Sequence, residues 1–259
     1  MTSFKITLAY DGTDFVGWQR QASGSSIQGL LEDALRDLDQ RPIDVTGAGR
    51  TDAGVHAHGQ VASFSLERVI EAHVLVGALN ARLPATVRVL SAEPVATTFH
   101  ARYDARAKTY RYRIWNAIVM SPFERAYAWH IPGSLDREAM ADAARLLEGC
   151  HDFASFQAAG ASTKTSERRV FSSRIVTVVA PRGTAGGSPV LLEYEIRGNG
   201  FLRHMVRTIV GSLVEIGRGR HPASWLADVL ARRDRTQAGP TAPPHGLVLV
   251  AVEYELQSQ

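Results

Sequence analysis

Over the first hundred residues the spacing of apolar side chains switches between a period of two and a period of 3.6, and few folds accept the order in which it does so. Residues 4–10 alternate as a strand. Ser25-Ser26-Ile27-Gln28 then reads as a capping box. Behind it Ile27, Leu30, Leu31, Ala34, Leu35 and Leu38 fall on one helical stripe. Residues 44–46 lead into a glycine-rich turn, and residues 61–65 leave it as a strand, in a stretch that looks extended from 55 to 64. A second helix is expected over 66–81, with Pro84 beyond its end, and a fourth strand over 87–95. The order is β-α-β-β-α-β, the split βαβ arrangement.

The second half repeats that order loosely. Residues 107–115 are strongly β-prone. Ser134 caps a helix over 135–147, two strands follow over 169–180 and 190–197, and a low-complexity hairpin loop, 181–189, joins them. A helix over 201–216 ends at Gly217, Pro222 opens a short helix through Leu230, and 247–256 closes the chain as a strand. The expected fold class is α+β: two split-βαβ, ferredoxin-like halves forming a mostly antiparallel sheet with a central cleft and helices packed on it. The domains are placed at 1–105, carrying Arg50 and Asp52, and 106–259, carrying Tyr110 and Arg207.

Composition narrows the function. A length of 259 residues suffices for a substantial core. No apolar run reaches membrane-spanning length, and residues 1–6 lack the apolar segment of a secretory signal, so no membrane association and a cytoplasmic location are expected. Cys150 is the single cysteine, which excludes an intramolecular disulfide and a cysteine-based zinc site. Net charge is only +3. The cations are nearly all arginine, Lys5, Lys108 and Lys164 being the lysines. Arginine suits phosphate forks and base stacking, although a GC-rich coding sequence gives the same bias.

Chemistry concentrates in three places. In Gly47-Ala48-Gly49-Arg50-Thr51-Asp52-Ala53-Gly54-Val55-His56-Ala57-His58, small residues crowd one Arg and one Asp. On an extended strand Arg50 and Asp52 would face the same side, and a guanidinium favours the charged form of a partly buried carboxylate. Such an Asp is a candidate nucleophile or base; the plainer reading is a turn residue bonding its own backbone. The Gly-x-Gly here opens no helix, so a dinucleotide cofactor is not expected. His56 and His58 with Asp52 admit a metal-site reading, but no further histidine falls at ligand spacing. In the second place, residues 106–115, alternation puts Tyr110, Tyr112 and Ile114 on one face and Arg111 and Arg113 on the other. That suits base stacking with phosphate contact, or equally a strand with tyrosines in the core and arginines in water. In the third, Gly198-Asn199-Gly200 is expected to deliver the chain into a helix whose Arg203 and Arg207, four apart, share a face, to bind phosphate or reach a carboxylate. The polar loop 163–169 either touches RNA or is solvated.

Five blocks taken together resemble the tRNA pseudouridine synthase A family. They are Tyr10-Asp11-Gly12-Thr13 with Gly17-Trp18-Gln19, the Gly47 to His58 segment, Lys108-Thr109-Tyr110-Arg111-Tyr112, the run from Gly198 to Arg207, and the run from Pro243 to Leu249. The resemblance implies isomerisation of uridine to pseudouridine in the anticodon stem-loop of tRNA, at tRNA positions 38–40. It implies a homodimer with RNA crossing both subunits and no cofactor or metal. Asp52 would be the catalytic acid residue, Arg50 would take the space of the flipped nucleotide or help position it, Tyr110 would stack on the uracil or take part in proton transfer, and Arg207 would pair with Asp52. Arg203, Phe201, Leu249 and His58 would contact substrate. Two other functions stay open on the residues alone: a non-catalytic RNA-binding protein, and a metal-dependent hydrolase using Asp52, His56 and His58.

Overall fold

The computed structural model describes residues 1–158, 165–179 and 190–254. The expected loop at 181–189, residues 163–164 of the polar loop and the last residues of the expected closing strand lie outside them. The chain divides into two compact units, residues 1–106 with the stretch from Val248 on, and Ala107–Leu247.

The first unit holds β1 (Thr2–Tyr10), α1 (Ile27–Asp39), β2 (Thr46–Gly47), β3 (His56–Leu66), α2 (Ala72–Asn80) and β4 (Val87–Val95). This is the β-α-β-β-α-β order expected from the period changes. β1 lies antiparallel between β3 and β4, with Phe4 opposite Phe64 on one side and Pro94 on the other. The alternation works as expected: Phe4, Ile6, Leu8 and Tyr10 are buried. On α1, Ile27, Leu31, Ala34, Leu35 and Leu38 are buried while Leu30 is half-buried.

Two local expectations are corrected here. The cap is Ser26, whose Oγ accepts from the Gly29 amide at 3.2 Å. Gln28 does not reach back to it; its amide accepts from Arg20 N and donates to the Val45 carbonyl. And α2 starts at Ala72 rather than 66, because β3 runs on to Leu66 and residues 67–71 turn the chain.

The second unit holds β5 (Ala107–Asn116), β6 (Trp129–Ile131), α3 (Arg137–Arg145), β7 (Gly149–Asp152), β8 (Glu167–Val179), β9 (Val190–Gly198), α4 (Met205–Gly217) and α5 (Trp225–Arg232). Its sheet runs β5-β9-β8-β7 with antiparallel neighbours, and β6 is parallel to β5. The short β6 and β7 carry no clear alternation and were not foreseen, so the repeat of the first half is looser than its element order suggests. Asp136, not Ser134, caps α3, its carboxylate accepting from Ala139 N at 3.0 Å. α5 begins at Trp225, with Pro222 in the turn before it.

α4 begins at Met205, not at 201, which changes the reading of two arginines. Residues 201–204 form a turn ending at His204, whose φ of 64° is a left-handed conformation uncommon outside glycine. Arg203 therefore precedes the helix and shares no helical face with Arg207. Gly198-Asn199-Gly200 does not open directly into the helix.

The closing strand, β10 (Leu247–Glu253), leaves the second unit. From Val248 on it pairs in parallel with β3, Val248 opposite His56 and Leu249 opposite Ala57. A boundary at 105/106 with everything beyond it in one domain misses this return, which long-range pairing decides and local patterning does not reveal.

The core is rich in buried phenols. Burial pushes the Tyr10 hydroxyl up to about 12, against the opposing pull of its hydrogen bonds to Thr51 and Gln60. Tyr194 and Tyr112 are also raised by burial. A phenol raised in the folded state contributes its full stability below its unfolded value of 10.0 and loses it as pH climbs to the folded value. For Tyr10 that is about 3 kcal/mol. The thermal midpoint is thus expected to hold steady from about pH 7 to 10 and to fall between pH 10 and 12, with a shallower fall in Tyr10→Phe, as followed by circular dichroism. An identical slope in the variant contradicts this reading.

Candidate active site

In the first unit the Asp52 segment is a turn held by its neighbours on both sides. The Val55 amide donates to the Asp52 carbonyl at 3.1 Å, closing a four-residue turn. Gly54 sits at φ 75° in its third position, as a type II turn requires. No strand runs through residues 50–52, so the expected shared strand face for Arg50 and Asp52 does not apply. Arg50 is exposed and Asp52 is half-buried.

The loop between β1 and α1 grips this turn. Trp18 N donates to the Thr51 carbonyl at 3.0 Å, and Gly54 N donates to the Phe15 carbonyl at 3.3 Å. Gly12 N donates to His56 Nδ1 at 3.0 Å. The backbones are in contact: a Cβ on Gly12 would lie 2.1 Å from the Val55 carbonyl oxygen, and one on Gly17, itself at φ 107°, 2.5 Å from that of Thr51. From the other side Tyr10 Oη lies 2.9 Å from Thr51 Oγ1, and Gln60 Nε2 donates to the Gly49 carbonyl at 2.9 Å. Glycine at 47 makes room for Trp18, whose ring would be 2.4 Å from a Cβ there. In the sequence Gly12, Gly17 and Trp18 stand only among the blocks of family resemblance; their part as a cradle is not read there. The available signal was the pairing of glycines in one loop with a glycine-rich turn in another.

His56 is buried and His58 exposed. Among the described residues no group of three or more His, Cys, Asp or Glu side chains could hold a metal ion. Leu249, on β10 beside Ala57, is fully buried.

In the second unit Tyr110, Tyr112 and Ile114 share the buried face of β5, as alternation predicts. Tyr110 meets Phe201 edge-to-face, ring centres 5.1 Å apart. Tyr112 donates its hydroxyl to the Pro243 carbonyl at 2.8 Å. Arg111 and Arg113 lie on the other face, in ion pairs. Arg111 pairs with Glu195 at 2.9 Å and Glu193 at 3.3 Å, and Arg113 with Glu124 at 2.9 Å. Glu195 also takes Arg174, and although burial works against its charge, Arg111 and Arg174 hold it below the usual carboxylate range. These arginines are committed to a cross-strand charge ladder.

Arg207 lies half-buried on α4, a helix otherwise buried along its length. Its Nε donates to the Ala242 carbonyl at 2.8 Å, while Ala242 N donates back to the Arg207 carbonyl at 3.1 Å. Its charge also acts on Tyr112, opposing the upward push of burial. Arg203 is exposed, and its carbonyl accepts from Ala158 N.

The turn that carries Asp52 is thus braced on both sides, in part by glycine-mediated backbone contact. Residues 6–104 and 143–255 match the family model described as tRNA pseudouridine synthase. The chain belongs to this family. It is 47% identical over 254 residues to the tRNA pseudouridine synthase A of Myxococcus xanthus, covering 98% of this chain and 92% of that one. It is 46% identical over 257 residues to that of Solibacter usitatus, covering 98% and 100% respectively.

The cradle makes a direct prediction. Gly12→Ala places a methyl against backbone that cannot swing away, and is expected to cost about 1–3 kcal/mol in urea unfolding. Turnover should fall more than stability implies when measured where the variant is fully folded. A variant with unchanged turnover and stability contradicts the backbone contact.

Proposed function

We propose that this chain converts uridine to pseudouridine in the anticodon stem-loop of tRNA, at tRNA positions 38–40, with Asp52 as the acting carboxylate. The braced Asp52 turn, in a member of the tRNA pseudouridine synthase family, carries this reading. The reaction breaks the C1′–N1 bond, turns the uracil and forms a C1′–C5 bond. The C5 proton is lost and N1 gains one. Nothing is oxidised or handed to water, so the atoms balance without a cofactor.

The protein's task is to present one oriented group to an extruded nucleotide and to keep the freed base from leaving. Asp52 supplies that group, from a turn whose backbone is fixed at both ends. Arg50, the exposed neighbour of the turn, takes the place of the flipped nucleotide in the stack. Tyr110, held edge-on by Phe201, offers a ring to the uracil. Arg207 serves Asp52, and its bond to Ala242 limits where its guanidinium can go. Arg203 and His58, both exposed, and the half-buried Phe201 are proposed to meet the RNA around the target; Leu249, fully buried in β10, is not. The enzyme works in the cytoplasm as a homodimer with the stem-loop crossing both subunits. No helix among the described residues is long and apolar enough to cross a membrane.

Tritium release from tRNA labelled at uridine C5 tests this. Asp52→Asn is expected to lower the rate by about 10³-fold or more with tRNA affinity little changed. Full release in that variant overturns the assignment. Affinity should also fall steeply with salt, at a log–log slope of about 0.7–0.9 per phosphate contacted. A flat dependence removes the arginines from the RNA contact.

A further inference from the structure

His56 lies four residues beyond Asp52, at the first position of β3, and is almost fully enclosed. Its Nδ1 accepts a hydrogen bond from the Gly12 amide at 3.0 Å. The same nitrogen lies 3.1 Å from Asp11 Oδ1. One ring nitrogen cannot accept from an amide and donate to a carboxylate together. Asp11 Oδ1 is already engaged by two donors, Thr13 N at 3.0 Å and Thr13 Oγ1 at 2.6 Å. The Gly12 amide is the donor that uses His56 Nδ1 as an acceptor, with Asp11 Oδ1 held by Thr13. Gly12 is also the residue whose backbone touches the Val55 carbonyl. The imidazole thus ties the start of one loop to the end of the other, where the Asp52 turn closes.

We propose that His56 is a positioning residue for the reaction. By accepting the Gly12 amide through Nδ1 it fixes the closing end of the Asp52 turn, and through it the direction of the carboxylate. This rests on the reading of Asp52 above and adds to it a residue that need never touch the RNA.

Three variants separate positioning from simple support of the fold. Asn carries an acceptor oxygen near the place of Nδ1, Gln carries one near the place of Nε2, and Ala carries none. With 5-tritiated tRNA, His56→Ala is expected to lower kcat by about 10- to 100-fold with KM within about twofold. His56→Asn should recover most of that loss and His56→Gln little of it. Thermal melts fix a temperature at which all three are folded, and kcat is compared there. If His56→Ala does not fold, the Asn against Gln comparison alone decides. Equal recovery by Asn and Gln overturns the proposal. So does wild-type kcat in His56→Ala, or a loss that tracks only the folded fraction. Asp52→Asn run alongside keeps the two readings apart: an active Asp52→Asn defeats both, whereas an inactive one beside a fully active His56→Ala defeats only this one.

Discussion

Backbone pressed against backbone, without side chains between, is the constraint on which the first unit depends. At Gly12 and Gly17 the loop after β1 approaches residues 51–55 so closely that a methyl group would collide with a carbonyl oxygen. Such contact leaves the turn few ways to move. It also lets amide donors and carbonyl acceptors meet directly, as from Trp18 to Thr51 and from Gly54 to Phe15. Bulk is placed behind the turn instead. Tyr10, Trp18 and Gln60 are buried there and touch it through hydroxyl, backbone amide and side-chain amide. A short carboxylate on such a base has fewer directions open to it, as the catalysis proposed for Asp52 requires.

The second unit follows another logic. On its sheet, glutamates on β9 share out the guanidiniums of β5 and β8. This fixes strand register on one face while tyrosines fill the other. Arg207 is held differently, by exchange of hydrogen bonds with Ala242 just ahead of the closing strand. Arginines that look alike in the sequence thus divide into those committed to sheet structure and those set at the ends of helices and loops.

The legibility of the sequence follows the range of the forces involved. The strands at 2–10, 87–95 and 107–116 were readable almost to the residue, because alternation against one core is local. Helix starts were read too early at α2 and α4, and the caps at α1 and α3 were misassigned, since an apolar run continues through turns that only tertiary contact defines. The return of the chain from Val248 to β3 was invisible, being a parallel pairing between segments far apart in the sequence. Of the candidate site, Asp52 and Tyr110 stood out through their turn and their strand face. His56 was weighed as a metal ligand, and its bond to Gly12 depends on the meeting of two loops that sequence spacing does not report.

Replacing Asp52 by Glu bears most directly on the claim that a braced turn sets the carboxylate's position. The charge is kept and the group moves outward by one methylene, roughly 1 Å or slightly more. Single-turnover pseudouridine formation should then slow by about 100-fold or more, with tRNA affinity unchanged. A rate within a few-fold of the parent protein would show that charge suffices and position does not matter, contradicting the account at its centre.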